Sequence, residues 1–265
     1  MNNHLRVMDL VLKVGRQKYE TSWGKLLVLG LLAGVYIAMG GLLSSFAASA
    51  AEIEGGGNPL LIRLVAAGLF PLGLMLVLLV GAELFTGNTA TLMPAVMRGD
   101  VPTSYLFKNW AVVFLANVAG AILFDYLIVY QGQMLAQPAQ LDYIMRVARL
   151  KTELPWHVVF VRGIGANWLV CLAVWMSLAS RNMVGRMLGI WWPVMAFVMV
   201  GFEHSIANVF FIPTGIFYGA DVTWTDFVFG NLLPSTLGNV VGGCGFVGCL
   251  YAYLYMEKKG SSLKA

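Results

Sequence analysis

Two long apolar stretches of this chain are interrupted near their middles by the same polar pattern, Gly-x-Glu-x-x-x-x-Asn. In the stretch at about 60–96 the pattern is Gly81, Glu83 and Asn88; in the stretch at about 188–217 it is Gly201, Glu203 and Asn208. A polar cluster with glycine inside an apolar span reads as a broken helix. Backbone released from helical hydrogen bonding at that depth is tolerated only where it is buried in protein or lines a water-filled cavity. The pattern therefore argues against a bundle of unbroken spans and asks for a polar interior.

The match continues downstream. Asn109 and Asn117 stand eight apart, and the second opens Asn-Val-Ala-Gly; Asn231 and Asn239 stand eight apart, and the second opens Asn-Val-Val-Gly. Upstream, Lys25 precedes the spans of one half and Lys151 those of the other. The repeat is about 120 residues long, with three spans in each half. Three is odd, so the halves cross the membrane in opposite senses. That is an inverted repeat, whose broken helices meet near the midplane and form a pathway.

Composition agrees. Hydrophobic residues make up 59% and charged residues 11%, whereas a water-exposed surface needs roughly 25–35% charged residues. The solvent is therefore the bilayer, whose hydrocarbon core of about 30 Å needs roughly 20 apolar residues per helix. The apolar runs predict an all-α integral membrane protein with six spans, at about 26–49, 60–96, 105–130, 157–180, 188–217 and 227–256. They form a single membrane channel domain over 1–265: a first half at 25–130, an outer connecting loop at 131–156, a second half at 157–256 and a tail at 257–265. Twelve of the 17 Lys and Arg, including Arg98, Lys108, Arg181, Arg186, Lys258, Lys259 and Lys264, fall on the side of the two ends, and Arg63, Arg146, Arg149, Lys151 and Arg162 on the other. The positive-inside rule then places both ends in the cytoplasm.

Residues 1–24 carry basic side chains opposite Leu5, Met8 and Leu12. They predict an amphipathic helix on the membrane surface rather than a cleavable signal; a flexible basic tail that sets topology is the alternative. Cys171, Cys244 and Cys249 lie in apolar runs without metal-type spacing, so they are expected as small core residues, with no disulfide, metal or other cofactor. The net charge of +4 is modest and does not suggest nucleic-acid binding.

Among the candidate functional residues, His204 is the only histidine inside a span. A titratable ring there is costly unless it faces a cavity or a partner. It is either a packing histidine bonded to a carbonyl or a pore-lining proton donor. Desolvation favours its neutral form and an entering anion its charged form. Glu83 and Glu203 would repel anions, so they are expected to be held off the path, satisfying backbone groups freed at the breaks, with Asn88 and Asn208 in similar work. Thr86 is placed either to hydrogen-bond toward His204 or to cap locally. Lys25 and Lys151 either concentrate anions at the two mouths or only snorkel at helix ends. Phe70, Leu74, Leu84, Phe85 and Phe197 surround the breaks as constriction residues or as ordinary packing. Ser205 adjoins His204, but helix neighbours do not face one another as a nucleophile and its base, and no HExxH or Gly-x-Ser-x-Gly motif is present. No enzymatic activity is expected. A neutral-solute pore of the aquaporin type would need paired Asn-Pro-Ala motifs, and the Asn58-Pro59 pair stands alone in a loop.

Three segments, Val80-Gly-Ala-Glu-Leu-Phe-Thr-Gly87, Gly163-Ile-Gly-Ala-Asn-Trp-Leu-Val-Cys-Leu-Ala173 and Gly201-Phe-Glu-His-Ser-Ile-Ala-Asn208, resemble the signature segments of the formate/nitrite transporter family. The resemblance runs from Lys25 to Asn239. It implies an aquaporin-like six-helix protomer in a homopentamer, with one pore per protomer. It further implies constrictions at Phe70, Leu74, Leu84, Phe85, Asn167, Val170 and Phe197 around His204. Lys25 and Lys151 would line the vestibules, and the N-terminal helix would gate the inner mouth. The implied substrates are formate, nitrite, hydrosulfide, lactate or acetate. Phe211-Ile-Pro-Thr-Gly-Ile216 resembles formate members, whereas Gly87 is a nitrite-type residue, so both substrates stay open. The expected function is passage of small monovalent anions, formate first, with a proton or proton-sharing hydrogen bond from His204 assisted by Thr86. Uptake would then grow as protons become more available.

Overall fold

The structure, a computed structural model, describes residues 1–54 and 58–256; the expected tail, with Lys258, Lys259 and Lys264, lies outside the described residues. Helix α1 is His4–Glu20 and α2 is Trp23–Glu54. Helix α3 covers Pro59–Gly81 and is followed by the short α4, Phe85–Thr91, and α5, Met93–Met97. Helices α6, Thr103–Tyr130, and α8, Trp156–Ala179, are long and apolar, and α7, Pro138–Thr152, lies between them. Helix α9 is Met183–Val200, α10 is Ser205–Phe217 and α11 is Asp226–Tyr255. No strand occurs among the described residues. Six helices are long and apolar enough to cross a bilayer, as the hydropathy pattern predicts. The protein is an all-α multi-pass membrane protein.

Both predicted breaks are present. Helix α3 ends in a π-helical turn over Leu76–Gly81, and the chain turns through Gly81 at φ +99° into extended backbone at Ala82. Helix α9 ends at Gly201, φ +78°. Both glycines occupy the left-handed region, where a side chain would be strained. Helices α4 and α10 then restart from extended N-cap residues, Leu84 and His204.

Two expectations are corrected. The connection at 131–156 is not a plain loop, because it contains α7. Ile144 and Ala148 of that helix are buried in a cluster with Val209, Phe210 and Ile212 of α10. Helix α1 does not lie with its apolar face in lipid. Val7, Met8, Val11 and Leu12 are buried against α5, α8 and α11 of the same chain, and Asn2 binds the end of α8 through Ala179 O at 2.8 Å. Each half is thus preceded by a helix packed on the protein, α1 for the first and α7 for the second.

Glycine contacts bring the spans close enough for these bonds to form. A Cβ on Gly34 of α2 would lie 2.0 Å from the Asn117 carbonyl oxygen of α6, and one on Gly238 of α11 would lie 2.1 Å from the Phe160 carbonyl oxygen of α8. These are backbone atoms and cannot swing away. Gly34→Val and Gly238→Val are each expected to abolish the monodisperse folded species on detergent size-exclusion chromatography. Gly24→Val, where nothing lies within 4 Å, is expected to elute as the parent does.

Candidate functional site

The sequence pattern resolves into two equivalent hydrogen-bond networks, one at each break. Asn117 Oδ1 accepts from the Phe85 N–H at 2.8 Å, and its amide donates to Gly30 O and Glu83 O, both at 2.8 Å. Asn239 Oδ1 accepts from the Ser205 N–H at 2.8 Å, and its amide donates to Gly163 O at 2.7 Å and Glu203 O at 3.0 Å. Each asparagine therefore satisfies the first free N–H of its half-helix. Glu83 N and Glu203 N donate to Leu29 O and Arg162 O across to the neighbouring spans.

The carboxylates do other work than expected. Both Glu83 oxygens accept from Lys18 Nζ at 2.7 Å, and both Glu203 oxygens accept from Lys151 Nζ at 3.1 Å. Asn88 donates to Glu83 at 2.8 Å and to Asn109 at 2.9 Å; Asn208 donates to Glu203 at 2.7 Å and to Asn231 at 2.6 Å. The glutamates are counter-ions rather than backbone caps. The lysine equivalent to Lys151 is Lys18, whereas Lys25 is exposed at the start of α2 and lines none of the interior cavities described below. Val7, Val11, Val14 and Lys18 share one face of α1. A lysine in phase with an apolar stripe was the sequence signal that could have found it.

Three cavities follow one another through the protein. The one beside α1, called inner for the cytoplasmic side expected from the Lys and Arg distribution, is about 210 Å³ and is lined by Val14 and Lys18 of α1, Leu74 and Ala82 at the end of α3, Leu84, and Arg186 of α9. The outer one, about 240 Å³, is lined by Arg63, Phe70, Lys151, Phe197, His204 and Phe211 among others. Between them lies a void of about 10 Å³, enclosed by Ile37, Phe70, Leu74, Val170, Val194, Phe197 and His204. That is barely room for one water, which needs about 10–15 Å³. Leu74 is shared with the inner cavity, and Phe70, Phe197 and His204 with the outer one. The walls are apolar but for the imidazole, so the centre is narrow and dry.

His204 is 3% exposed. Its Nε2 lies 3.0 Å from Thr86 Oγ1, and its Nδ1 accepts from the Ala207 N–H at 3.0 Å. A ring nitrogen that caps a helix by accepting a hydrogen bond is unprotonated, so the ring proton sits on Nε2 and points at Thr86. The Phe197 ring stacks on the imidazole at 5.8 Å. Thr86, on α4, and His204, capping α10, therefore join the two half-helices side chain to side chain.

Other expected residues are placed differently. Phe85 is buried edge-on against Trp110 and Phe114 of α6 and lines none of the three cavities. Asn167 donates to Thr86 O at 3.1 Å, Thr89 Oγ1 at 2.9 Å and Asn239 O at 2.6 Å. It clamps the first half-helix to α11 rather than facing the passage. Ile37 and Val194 belong to the constriction and were not among the residues expected there. On the outer side, burial pushes the phenol of Tyr143, in α7, up to about 12, so that phenol keeps its proton at physiological pH.

An interior route between two vestibules, pinched at two facing half-helices of an inverted repeat, defines a membrane channel or transporter. The family model for the formate/nitrite transporter matches residues 5–253. A probable formate transporter of Methanothermobacter thermautotrophicus is 42% identical over 260 residues, covering 92% of this chain and 94% of the relative. Among solved structures, an FNT family ion channel superposes with a TM-score of 0.83 at 30% identity, covering 94% of this chain and 96% of that one. A pentameric formate channel with formate bound superposes with a TM-score of 0.77 at 30% identity, covering 89% and 98%. The chain belongs to the formate/nitrite transporter family and is a transport protein rather than an enzyme.

The two lysine–glutamate pairs are largely buried, with Lys18 and Glu83 side chains 12% and 13% exposed and Glu203 at 4%. Removing one partner leaves an uncompensated charge, which costs about 3–5 kcal/mol, whereas removing both together costs far less. Lys151→Met is expected to lower the detergent melting temperature sharply, and Lys151→Met with Glu203→Gln to restore most of it. A double variant as unstable as the single one would contradict this pairing.

Proposed function

We propose that this protein conducts formate, as the first of a class of small monovalent anions, through a passage that sheds water at its centre. The observation that carries the reading is the dry void of about 10 Å³ closed by apolar side chains and the His204 imidazole between two larger vestibules. A hydrated ion does not fit there, so an anion must leave its water behind. Full charge is then expensive, and a proton shared with the anion lowers the cost. The formate-bound relative and the formate-named relative support the choice of substrate.

In this mechanism the imidazole acts from its neutral form. Nδ1 is occupied by the Ala207 N–H, so a second ring proton would break the helix cap. His204 donates through Nε2 to Thr86 Oγ1, and in this reading the threonine hydroxyl proton turns toward an oxyanion that enters the gap. His204 and Thr86 together form a proton-sharing relay, and the proton that accompanies the anion comes from the vestibule water. Lower pH raises the share of anion that carries a proton, so flux rises as pH falls. Asn208 lines the outer vestibule and holds Glu203, while Leu74, Leu84, Phe70, Val170 and Phe197 shape the gap and its approaches.

The assembly we infer is a homopentamer with one passage per protomer, on the likeness to the pentameric formate channel. Residues 1–256 act as one channel domain in a cytoplasmic (inner) membrane, with both ends inside, on the Lys and Arg distribution. Helix α1 roofs the inner vestibule through Val14 and Lys18 and is placed to gate it. A second substrate reading, nitrite or hydrosulfide, is favoured by Gly87. This residue lines the inner cavity without a side chain, leaving room beside the constriction.

Proteoliposome flux at roughly pH 6 and pH 8 tests the relay. His204→Ala is expected to lower formate flux at least about tenfold, by loss of the hydrogen bond that orients the Thr86 hydroxyl in an apolar site, and to flatten its pH dependence. Thr86→Val is expected to do the same, with His204 still capping α10. Wild-type rate and pH profile in either variant would contradict the scheme.

A further inference from the structure

The lysines long enough to reach the two vestibules are already engaged. Lys18 gives its ammonium to both oxygens of Glu83, and Lys151 gives its own to both oxygens of Glu203. Each pair presents a dipole to the vestibule, not a full positive charge, and a dipole attracts an anion over a shorter range. The remaining cations near the passage are also largely committed. Arg146 binds Glu52 and Asp142, Arg98 and Arg16 pair with Asp100, and Arg162 reaches Gly201 O at 3.5 Å.

Two arginines differ. Arg186 lines the inner vestibule beside Lys18, and its Nε is buried with no hydrogen-bond partner among the described residues. Arg63 lines the outer vestibule beside Lys151, and it forms no ion pair among the described residues. The two occupy related places in the inverted repeat. Arg63 stands 18 residues before Gly81 on α3, and Arg186 stands 15 residues before Gly201 on α9, a difference of about one helical turn. Each broken span therefore carries one arginine near its wide end, on its own side of the membrane.

We infer that Arg186 and Arg63 capture the anion at the inner and outer mouths, while Lys18 and Lys151 hold the carboxylates of the breaks. This rests on the reading of the passage as an anion route. The ligand class is a small planar oxyanion, a carboxylate or nitrite, because a guanidinium offers two parallel N–H donors to two oxygens, where an ammonium offers a point charge. The buried Nε of Arg186 is costly while unpartnered, and an oxyanion in the inner cavity satisfies it. Capture at the wide vestibule also keeps the anion hydrated until it meets the constriction.

Phenylglyoxal labelling of the wild-type protein in liposomes, read arginine by arginine by peptide mass spectrometry, tests this directly. Sodium formate is compared with sodium chloride, which carries no oxyanion, at equal ionic strength. Formate at tenfold its dissociation constant is expected to slow modification of Arg186 and Arg63 about tenfold and to leave Arg149 and Arg181 unprotected. Flux is measured in parallel: Arg186→Gln and Arg63→Gln are each expected to raise the half-saturating formate concentration about tenfold from the corresponding face, with Arg186→Lys intermediate. Equal labelling in formate and chloride overturns the inference, and if wild-type flux persists the channel reading stands. Protection without wild-type flux overturns the channel reading and keeps the two arginines as anion sites. Loss of both overturns both.

Discussion

A helix cannot be broken inside hydrocarbon unless its released backbone groups find partners, and in this protein two asparagines supply the central ones. Asn117 and Asn239 each accept the first N–H of a half-helix and donate to a carbonyl in the break and to one on the neighbouring span. The rest of the interior depends on these bonds. They hold the two half-helices end-on near the protein's centre, which brings Thr86 within hydrogen-bonding distance of His204. Behind them, glycine contacts between α2 and α6 and between α8 and α11 let the backbones come close enough for short amide side chains to bridge them.

The scaffold is symmetric and the chemistry is not. Glu83 and Glu203, Asn88 and Asn208, Asn109 and Asn231, and Lys18 and Lys151 make matching contacts in the two halves. One position after each glutamate the repeat departs from itself: Leu84 caps the first half-helix and His204 the second. Two positions further, Thr86 faces the imidazole where the other half has Ile206. The repeat thus supplies a frame with matched mouths, and its few departures supply one polar couple in an otherwise apolar pinch. Charge follows the same logic, since the break carboxylates are neutralised locally and do not project negative field along the route.

Much of this was legible in the sequence, for a physical reason. Spans are dictated by apolar length, and breaks by glycine and carboxylate where hydrocarbon should be. The internal repeat pairs the residues of the two breaks, and the Thr86 contact with His204 is one of the two readings that Thr86 leaves open, the other being a local cap. What the sequence did not reveal depends on helix phase and side-chain direction. Lys25 and Lys18 lie seven residues apart on different helices, and only the packing of α1 decides which ammonium turns inward. The family resemblance implies a constriction at Phe85, yet successive residues at a helix start point different ways, and it packs on Phe114. Asn167 sits among pore-lining neighbours but turns to clamp Thr86, Thr89 and Asn239. Helix α7 was hidden because its polarity resembles that of a loop, while its buried face is only a few residues wide.

The central claim is that nothing crosses the dry gap beside His204 with its full charge. Simultaneous recording of formate uptake and of internal pH in liposomes clamped with potassium and valinomycin tests it most directly. The account predicts uptake accompanied by internal acidification and unchanged when the membrane potential is reversed. Uptake that follows the potential and leaves internal pH constant would mean that the bare anion crosses, and would contradict the account.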